Sequence, residues 1–218
     1  MLTSRKAVLR KCVDLENELR GLIRLIGLKL PGTLNHGVFD QTVRGSVEHP
    51  ALAGALIPLL DARLVLYKTY LKLDNQAKAE TRKDPVCQRL MSVPGVGAIT
   101  ALTFKAAVDN PTRFKSSRTV AAHFGLTPRR FQSGEKDNNG QISKAGDPDV
   151  RSALYIAAHS LVIRSSEWSS LRVWGLKLSK TKGHRRAVTA VARKLAVILH
   201  KMWISGTGFH YGAVEPTK

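Results

Sequence analysis

Cysteine is scarce in this 218-residue sequence, and its two cysteines form no recognisable pattern. Cys12 and Cys87 stand far apart, neither belongs to a Cys-x-x-Cys pair, and no histidine lies at ligand spacing from either. This spacing argues against a zinc site and against a disulfide framework. It favours a reducing compartment.

Long apolar runs are also missing. The longest, Ala51 to Leu60, is too short to span a bilayer, and the basic N-terminus runs into charged residues without the apolar core of a signal peptide. The sequence therefore predicts a soluble, cytoplasmic protein with no membrane partner.

Acidic residues are the third deficit. The sequence has 16 Asp and Glu against 35 Lys and Arg, which gives a formal net charge of +19. Residues 1–84 hold 14 basic and 9 acidic side chains, a net charge of +5, whereas residues 85–218 hold 21 and 7, a net charge of +14. Such an excess favours a nucleic acid as partner, bound by the second part of the chain.

Helical periodicity dominates the first part. Apolar residues recur every three to four positions over residues 4–29 and again over 51–83, with Pro31-Gly32 ending the first helix and a polar loop over 33–50. Two long amphipathic helices of this kind predict a coiled-coil arm over residues 1–84 that self-associates. Packing of these helices on the rest of the chain fits the periodicity equally well.

The second part, residues 85–218, is predicted to be a compact DNA-binding domain, so that the whole chain is mainly α-helical with one small β-hairpin. The β-hairpin is expected over residues 127–142, with Asn138-Asn139-Gly140 as its turn. Helices are expected over residues 98–108, 117–123, from Pro148 onward, 166–179 and 184–204.

Residues 91–101 have the form of a helix-hairpin-helix. Pro94 ends one helix, Gly95 and Gly97 permit backbone angles that other residues resist, and the next helix starts at once. We interpret Gly95, Val96 and Gly97 as a phosphate-binding turn, since amides at a helix start can donate to phosphate oxygens. An ordinary connection between two helices is the alternative.

Two arginines, Arg129 and Arg130, shortly precede Ser133 and a glycine. Guanidinium groups suit phosphate, and a serine beside a phosphodiester can act as a nucleophile, but no histidine base lies near it in the sequence. From the residues alone, a turn serine that bonds its own backbone is the better explanation for Ser133.

Other basic residues are candidates for phosphate contact. Lys144 contacts either phosphate or solvent, and the sequence does not decide between them. Arg185 and Arg186 favour phosphate contact in a chain of this charge.

The carboxylates predict no metal site. Asp147-Pro148-Asp149 imitates a metal-binding pair, but a capping aspartate followed by proline explains it as a helix start. No metal ligand is therefore assigned in this chain.

Four short motifs follow one another along the second part of the chain. They are Met91-Ser92-Val93-Pro94-Gly95-Val96-Gly97, Asp109-Asn110-Pro111-Thr112-Arg113-Phe114, Gly125-Leu126-Thr127-Pro128-Arg129-Arg130-Phe131-Gln132-Ser133-Gly134 and Ile142-Ser143-Lys144-Ala145-Gly146. This series closely resembles the C-terminal domain of transposases of insertion-sequence family 110, the DEDD type. The resemblance covers roughly residues 85–205, and the preceding helices are similar to the coiled-coil region of that family.

The resemblance implies a role for Ser133 that its local sequence does not. In that family a RuvC-like N-terminal domain carries four acids that hold Mg²⁺, and the C-terminal domain supplies a serine that attacks DNA. Ser133 matches that serine, which implies an enzyme that cuts and rejoins DNA through a covalent phosphoserine. The resemblance also implies a guide RNA as partner, and oligomers or association with a RuvC-like domain through the coiled coil.

The sequence departs from the family in beginning at the coiled coil, so we expect Mg²⁺ ligands to be absent and the isolated chain to be inactive. One hypothesis is a transposase C-terminal part that binds DNA and supplies Ser133. The other is a non-catalytic nucleic-acid-binding fragment that associates with a full-length transposase and modulates it. They differ in whether a RuvC-like half restores DNA cleavage.

Overall fold

The protein is built mainly from helices, as the sequence predicts. The computed structural model describes residues 1–47, 50–133 and 136–212, which form two compact units, residues 1–77 and 78–218. Within those described ranges the α-helices are α1 (Leu2–Leu25), α2 (Phe39–Ser46), α3 (Pro50–Lys83), α4 (Pro85–Leu90), α5 (Ala98–Val108), α6 (Ser117–His123), α7 (Pro148–His159), α8 (Ser170–Lys182) and α9 (His184–Ser205). Two strands, β1 (Pro128–Ser133) and β2 (Lys136–Ile142), complete the fold. None of the helices, over the residues described, is long and apolar enough to cross a membrane.

The first helix ends earlier than the sequence predicts. It stops at Leu25 rather than at Pro31-Gly32, because Gly27 adopts a φ of +79° and closes a Schellman turn. In that turn the amide of Gly27 donates to the carbonyl of Arg24 (3.0 Å), and the amide of Leu28 donates to the carbonyl of Ile23 (3.2 Å).

The predicted loop over residues 33–50 is wrong for its second half, where α2 lies. Phe39 and Val43, four residues apart, are both fully buried on one side of this short helix. A single apolar pair gives too short a pattern to reveal a period, so the helix depends on tertiary packing. That packing forms the core of the first unit, in which the buried apolar residues are Leu19, Ile23, Leu30, Phe39, Val43, Leu56 and Leu60.

Helix α9 lies at the centre of the second unit. It packs against α4, α6, α7 and α8, and its residues Val188, Val191, Leu195 and Leu199 are fully buried. The predicted bounds of α5, α6 and α9 are confirmed to within a residue, and α7 starts at Pro148 as predicted, with Asp147 as its cap.

Helix α8 begins at Ser170, four residues later than predicted. The buried Ser169 caps it by accepting a hydrogen bond from the amide of Arg172 (3.2 Å).

The predicted β-hairpin is confirmed, but its predicted turn is wrong. The last pair of the hairpin joins Ser133 and Lys136, and Gly134 and Glu135 lie outside the described residues. Asn138 and Asn139 instead lie inside β2, opposite Phe131 and Arg130. Gly140 lies where the register shifts by one residue, and glycine in a strand often marks such a bulge.

Candidate nucleic-acid interface

The turn between α4 and α5 holds Gly95 tightly against the second unit's core. Gly95 has a φ of +87°, and a Cβ built on it would lie 2.5 Å from the carbonyl oxygen of Ala157 and 2.7 Å from the amide of Leu161. Those atoms belong to the end of α7 and to the π-helical turn Ser160–Arg164 that follows it. Only glycine satisfies both the backbone angle and the space at this position.

The other two residues of the predicted phosphate-binding turn differ in position. The side chain of Val96 is 5% exposed and belongs to the hydrophobic core. Gly97 is exposed and precedes α5 as its N-cap residue, where the first amides of the helix have no carbonyl partner within the helix. Its φ of −88° is one that any residue adopts, and a Cβ there would meet open space, so the predicted need for glycine at Gly97 is wrong.

The base of the β-hairpin is fixed to the body of the second unit by two glycines. A Cβ on Gly125 would lie 2.4 Å from the amide of Ala145, and a Cβ on Gly146 would lie 3.3 Å from the Cα of Phe124, closer than side chains normally pack. The carbonyls of Phe124, Ala145 and Gly146 all accept hydrogen bonds from Nη1 of Arg151, at 3.3, 2.7 and 3.0 Å. Arg151, which the sequence did not single out, thus joins the segments before and after the hairpin.

Two of the predicted site residues lie together at this base. Arg129 is exposed and donates from Nη2 to the carbonyl of Ser143 (3.1 Å). Lys144 is exposed, has the unusual φ of +56°, and donates its amide to the carbonyl of Gly125 (3.1 Å). Their charged ends are thus displayed on a backbone that is fixed by hydrogen bonds.

The predicted nucleophile lies at the far end of β1. The backbone of Ser133 forms the last pair of the hairpin, with Lys136, and Arg130 pairs with Asn139. The side chains of Ser133 and Arg130 lie outside the described part of the structure.

Arg185 and Arg186 are exposed in the first turn of α9. Cations at a helix start oppose the helix dipole, so their charge is better accommodated when an anion is bound nearby. Residues 170–205, which contain α8 and α9, carry nine Lys and Arg and no Asp or Glu.

A groove between α6 and α9 adds residues that the sequence pattern did not identify. Arg118, Arg193 and Lys194 line a cavity of about 470 Å³. Arg193 and Lys194 stand off the apolar stripe of α9 in the sequence, but their proximity to Arg118 depends on tertiary packing.

One cluster of metal-ligating side chain types occurs in the first unit. Cys12, Glu16 and His36 bring one ligand atom each within 4.8 Å of one another, the only such group found among the described residues. His36 Nδ1 lies 2.8 Å from Glu16 Oε1, and the same oxygen accepts from Nε of the fully buried Arg63 at 2.9 Å. The contact with His36 is tertiary, which explains why sequence spacing did not reveal it.

This cluster does not fit Mg²⁺. Magnesium takes oxygen ligands in near-octahedral geometry, whereas a thiol and an imidazole are two of the three groups here. Burial raises the pKa of the Cys12 thiol and outweighs the opposing effect of Arg63, so the thiol stays protonated. The carboxylate of Glu16 is already neutralised by the guanidinium of Arg63.

Comparison with known proteins finds transposases among the relatives of this chain. Residues 87–173 match the model of the transposase family IS116/IS110/IS902. A protein of Sinorhizobium fredii described as a transposase is 30% identical over 94% of the chain. The transposases for the insertion sequence elements IS1111A of Coxiella burnetii and IS1328 of Yersinia enterocolitica are 28% and 29% identical, over 98% and 94% of the chain.

The chain spans only part of each of these relatives. It covers 54% of the Sinorhizobium protein, 60% of the Coxiella protein and 62% of the Yersinia protein.

Proposed function

Because the chain belongs to the IS116/IS110/IS902 transposase family, through the domain that residues 87–173 form, we propose that it binds DNA and supplies Ser133 as the nucleophile for strand cleavage and exchange. Relatives of the chain are described as transposases of insertion sequences, and we propose the same activity for this protein, with the serine chemistry as a further part of the proposal.

The observation that supports this role best is the rigid mounting of the hairpin that carries Ser133. Gly125, Gly146 and the three hydrogen bonds of Arg151 fix its base, and the ladder from Pro128–Ile142 to Ser133–Lys136 runs from that base to the serine. A nucleophile must be held close to its target geometry, and a strand on a fixed base does this better than a loop.

The proposed reaction is a transfer of a phosphoryl group to serine and back. The hydroxyl oxygen of Ser133 forms a bond to the phosphorus of a DNA phosphodiester and gives up its proton, while the bond from phosphorus to the leaving strand oxygen breaks and that oxygen takes a proton. A hydroxyl of the incoming strand then attacks the phosphoserine, which restores the serine and joins the strands. Arg129 and Arg130, on the same strand as Ser133, supply positive charge to phosphates of the bound DNA.

Mg²⁺ enters this proposal only as a requirement of the complete enzyme. The described residues hold no suitable ligand set, so no step is assigned to a metal on this chain. We propose that a RuvC-like domain supplies the ligands, and that a guide RNA and self-association through the first unit complete the active assembly.

A cleavage assay tests the nucleophile. The chain alone, with Mg²⁺ and labelled duplex DNA, should bind without cutting. Addition of a compatible RuvC-like domain and guide RNA should produce DNA joined covalently to the chain. Ser133→Ala should abolish the covalently joined product and leave DNA binding near the parental level. The control Ser143→Ala, the same substitution just after β2, should still form the joined product.

The alternative function is a non-catalytic fragment that binds nucleic acid and modulates a full-length transposase. The basic excess of residues 85–218, a net charge of +14, supports nucleic-acid binding in this function without requiring chemistry at Ser133. Binding without restored cutting in the assay above would select this alternative.

A further inference from the structure

The groove between α6 and α9 combines an apolar floor with a basic rim. Ala121 of α6 and Val197 and Ile198 of α9 are its apolar lining residues, called the floor below, and Thr127 also lines the groove. Val197 and Ile198 remain partly exposed although α9 is otherwise the most buried helix of the second unit. The groove therefore leaves apolar surface exposed beside the basic residues of α6 and α9.

The rim is formed by Arg118, Arg193 and Lys194, all of which are exposed. In the part of the chain that the structure describes, the salt bridges involve none of these three cations. Lys194 Nζ lies 3.8 Å above the ring of Trp174, a cation–π contact that orients the ammonium group without neutralising it. The rim thus keeps its positive charge available for an anionic ligand.

The two walls of the groove are fixed to each other by a buried histidine. His200 of α9 is fully buried, and its Nε2 lies 2.9 Å from the carbonyl oxygen of Pro111, which requires that nitrogen to carry the proton. Nδ1 is then free to accept from the hydroxyl of Ser117, 3.0 Å away. Since Ser117 starts α6 and precedes Arg118, this pair holds Arg118 in place opposite α9.

We propose that this groove binds a single-stranded segment of nucleic acid, with phosphates on Arg118, Arg193 and Lys194 and an unpaired base on the apolar floor. A duplex presents phosphates to a protein surface but keeps its bases stacked inside, so it would leave the floor of Val197 and Ile198 uncovered. A single strand satisfies both parts of the groove, the charged rim and the apolar floor. The inference rests on the proposed nucleic-acid-binding function and specifies the form of its ligand.

The position of the groove connects it to the proposed nucleophile. Thr127, which lines the groove, immediately precedes β1. Six residues of extended strand reach about 20 Å, which is the upper limit for the distance from Thr127 to the backbone of Ser133 along β1. A strand unpaired at the cleavage point can therefore continue from the hairpin into the groove.

Fluorescence anisotropy with two labelled 12-nucleotide probes, a single-stranded oligothymidylate and a mixed-sequence duplex, tests the inference on the full chain. The double variant Arg193→Gln/Lys194→Gln should weaken single-strand binding by about tenfold and reduce the slope of log affinity against log salt by about 1.4. The matched control Lys68→Gln/Lys72→Gln removes two exposed charges of α3 and should change the affinity by less than about twofold.

A third variant separates the base from the phosphates. Val197→Thr nearly preserves shape but adds a polar group to the floor, so it should weaken single-strand binding about fivefold and leave duplex binding within about twofold. Unchanged thermal unfolding of each variant shows that the fold is retained. A variant that unfolds at lower temperature is replaced by Ile198→Thr at the same floor.

The outcomes distinguish this inference from the proposed function. The single-strand assignment would be overturned, and DNA binding would stand, if the groove variants lost equal affinity for the single strand and the duplex. It would also be overturned if their loss of affinity were no larger than that of the lysine control. Failure of the parent chain to bind either probe would overturn the proposed function as well.

Discussion

Two glycines of one turn, Gly95 and Gly97, have different roles at the scale of single residues. The sequence treats them alike, because both stand in a Pro-Gly-Val-Gly turn between helices. In the structure, Gly95 combines a positive φ with close backbone contacts, whereas Gly97 has ordinary backbone angles and open space around it. Contacts with α7 decide the difference, and such contacts have no signal in the local sequence.

We therefore predict that alanine destabilises the fold at Gly95 and not at Gly97. Gly95→Ala should lower the free energy of unfolding by about 2 kcal/mol or more, because a Cβ meets the backbone of Ala157 and Leu161 and the positive φ disfavours it. Gly97→Ala should leave stability near that of the parent. Chemical denaturation measures both, and similar losses at the two positions would contradict the assignment.

Asp84 gives a pH-dependent prediction at the same scale. It caps α4 by accepting from the amides of Val86 (2.9 Å) and Cys87 (3.0 Å), and it also accepts a hydrogen bond from Lys105. Burial acts to raise the pKa of Asp84, but the bond from Lys105 and the two amides outweigh it and hold the pKa below its usual value. Because the pKa of Asp84 is lower in the folded chain than in the unfolded chain, its carboxylate stabilises the fold at pH values above the unfolded pKa. This stabilisation is lost as the pH falls through the folded pKa.

Asp84→Ala should accordingly lower the free energy of unfolding by about 1–2 kcal/mol at neutral pH, the usual contribution of an N-cap. The difference in free energy of unfolding between the parent and Asp84→Ala should shrink as the solution is acidified below the usual pKa of aspartate. Asp84→Asn, which keeps a capping oxygen, should retain most of the neutral-pH stability. A parent–alanine difference that stays constant on acidification would show that the charge of Asp84 contributes nothing.

At the scale of elements, patterns that repeat along the chain were predictable and single contacts were not. The long helices α1, α3 and α9 follow apolar stripes that continue over many turns. Helix α2 was missed because it depends on one buried pair, and the hairpin turn was misplaced because an Asn-Asn-Gly sequence favours turns.

The packing of α1 and α3 includes an ionic network that no periodicity reveals. Arg63 of α3 is fully buried and donates to the carboxylates of Glu16 and Asp40 and to the carbonyl of His36 (2.6 Å). Its guanidinium carbon also lies 4.9 Å from the centre of the ring of Tyr67.

Removal of this guanidinium should destabilise the chain strongly. Arg63→Met leaves two carboxylates without their cation, and we expect a loss of about 3–5 kcal/mol in the free energy of unfolding. The control Arg24→Met, at an exposed position of α1, should cost less than about 1 kcal/mol. Adding Glu16→Gln to Arg63→Met should recover part of the loss. Equal effects of the two arginine substitutions would contradict a structural role for the network.

At the scale of the whole molecule, charge and motif order were the informative features of the sequence. The excess of basic residues predicted a nucleic acid partner, and the ordered motifs identified the transposase family, which the comparisons confirm. The groove between α6 and α9 could not be predicted from the sequence, because Arg118 is 75 residues from Arg193 in the chain and only folding brings them together. The proposed role of Ser133 came from resemblance alone, since its immediate neighbours in the sequence fit an ordinary turn.

Identification of the residue that becomes joined to DNA tests the central claim most directly. The chain would be combined with a RuvC-like domain, guide RNA and DNA, digested with protease and nuclease, and analysed by mass spectrometry for peptides that retain a nucleotide. We expect the nucleotide to be attached to the peptide containing Ser133, with fragment ions placing it on that serine, and we expect Ser133→Ala to yield no such peptide. A nucleotide found on another residue, or strand exchange that proceeds at the parental rate in Ser133→Ala, would contradict this claim.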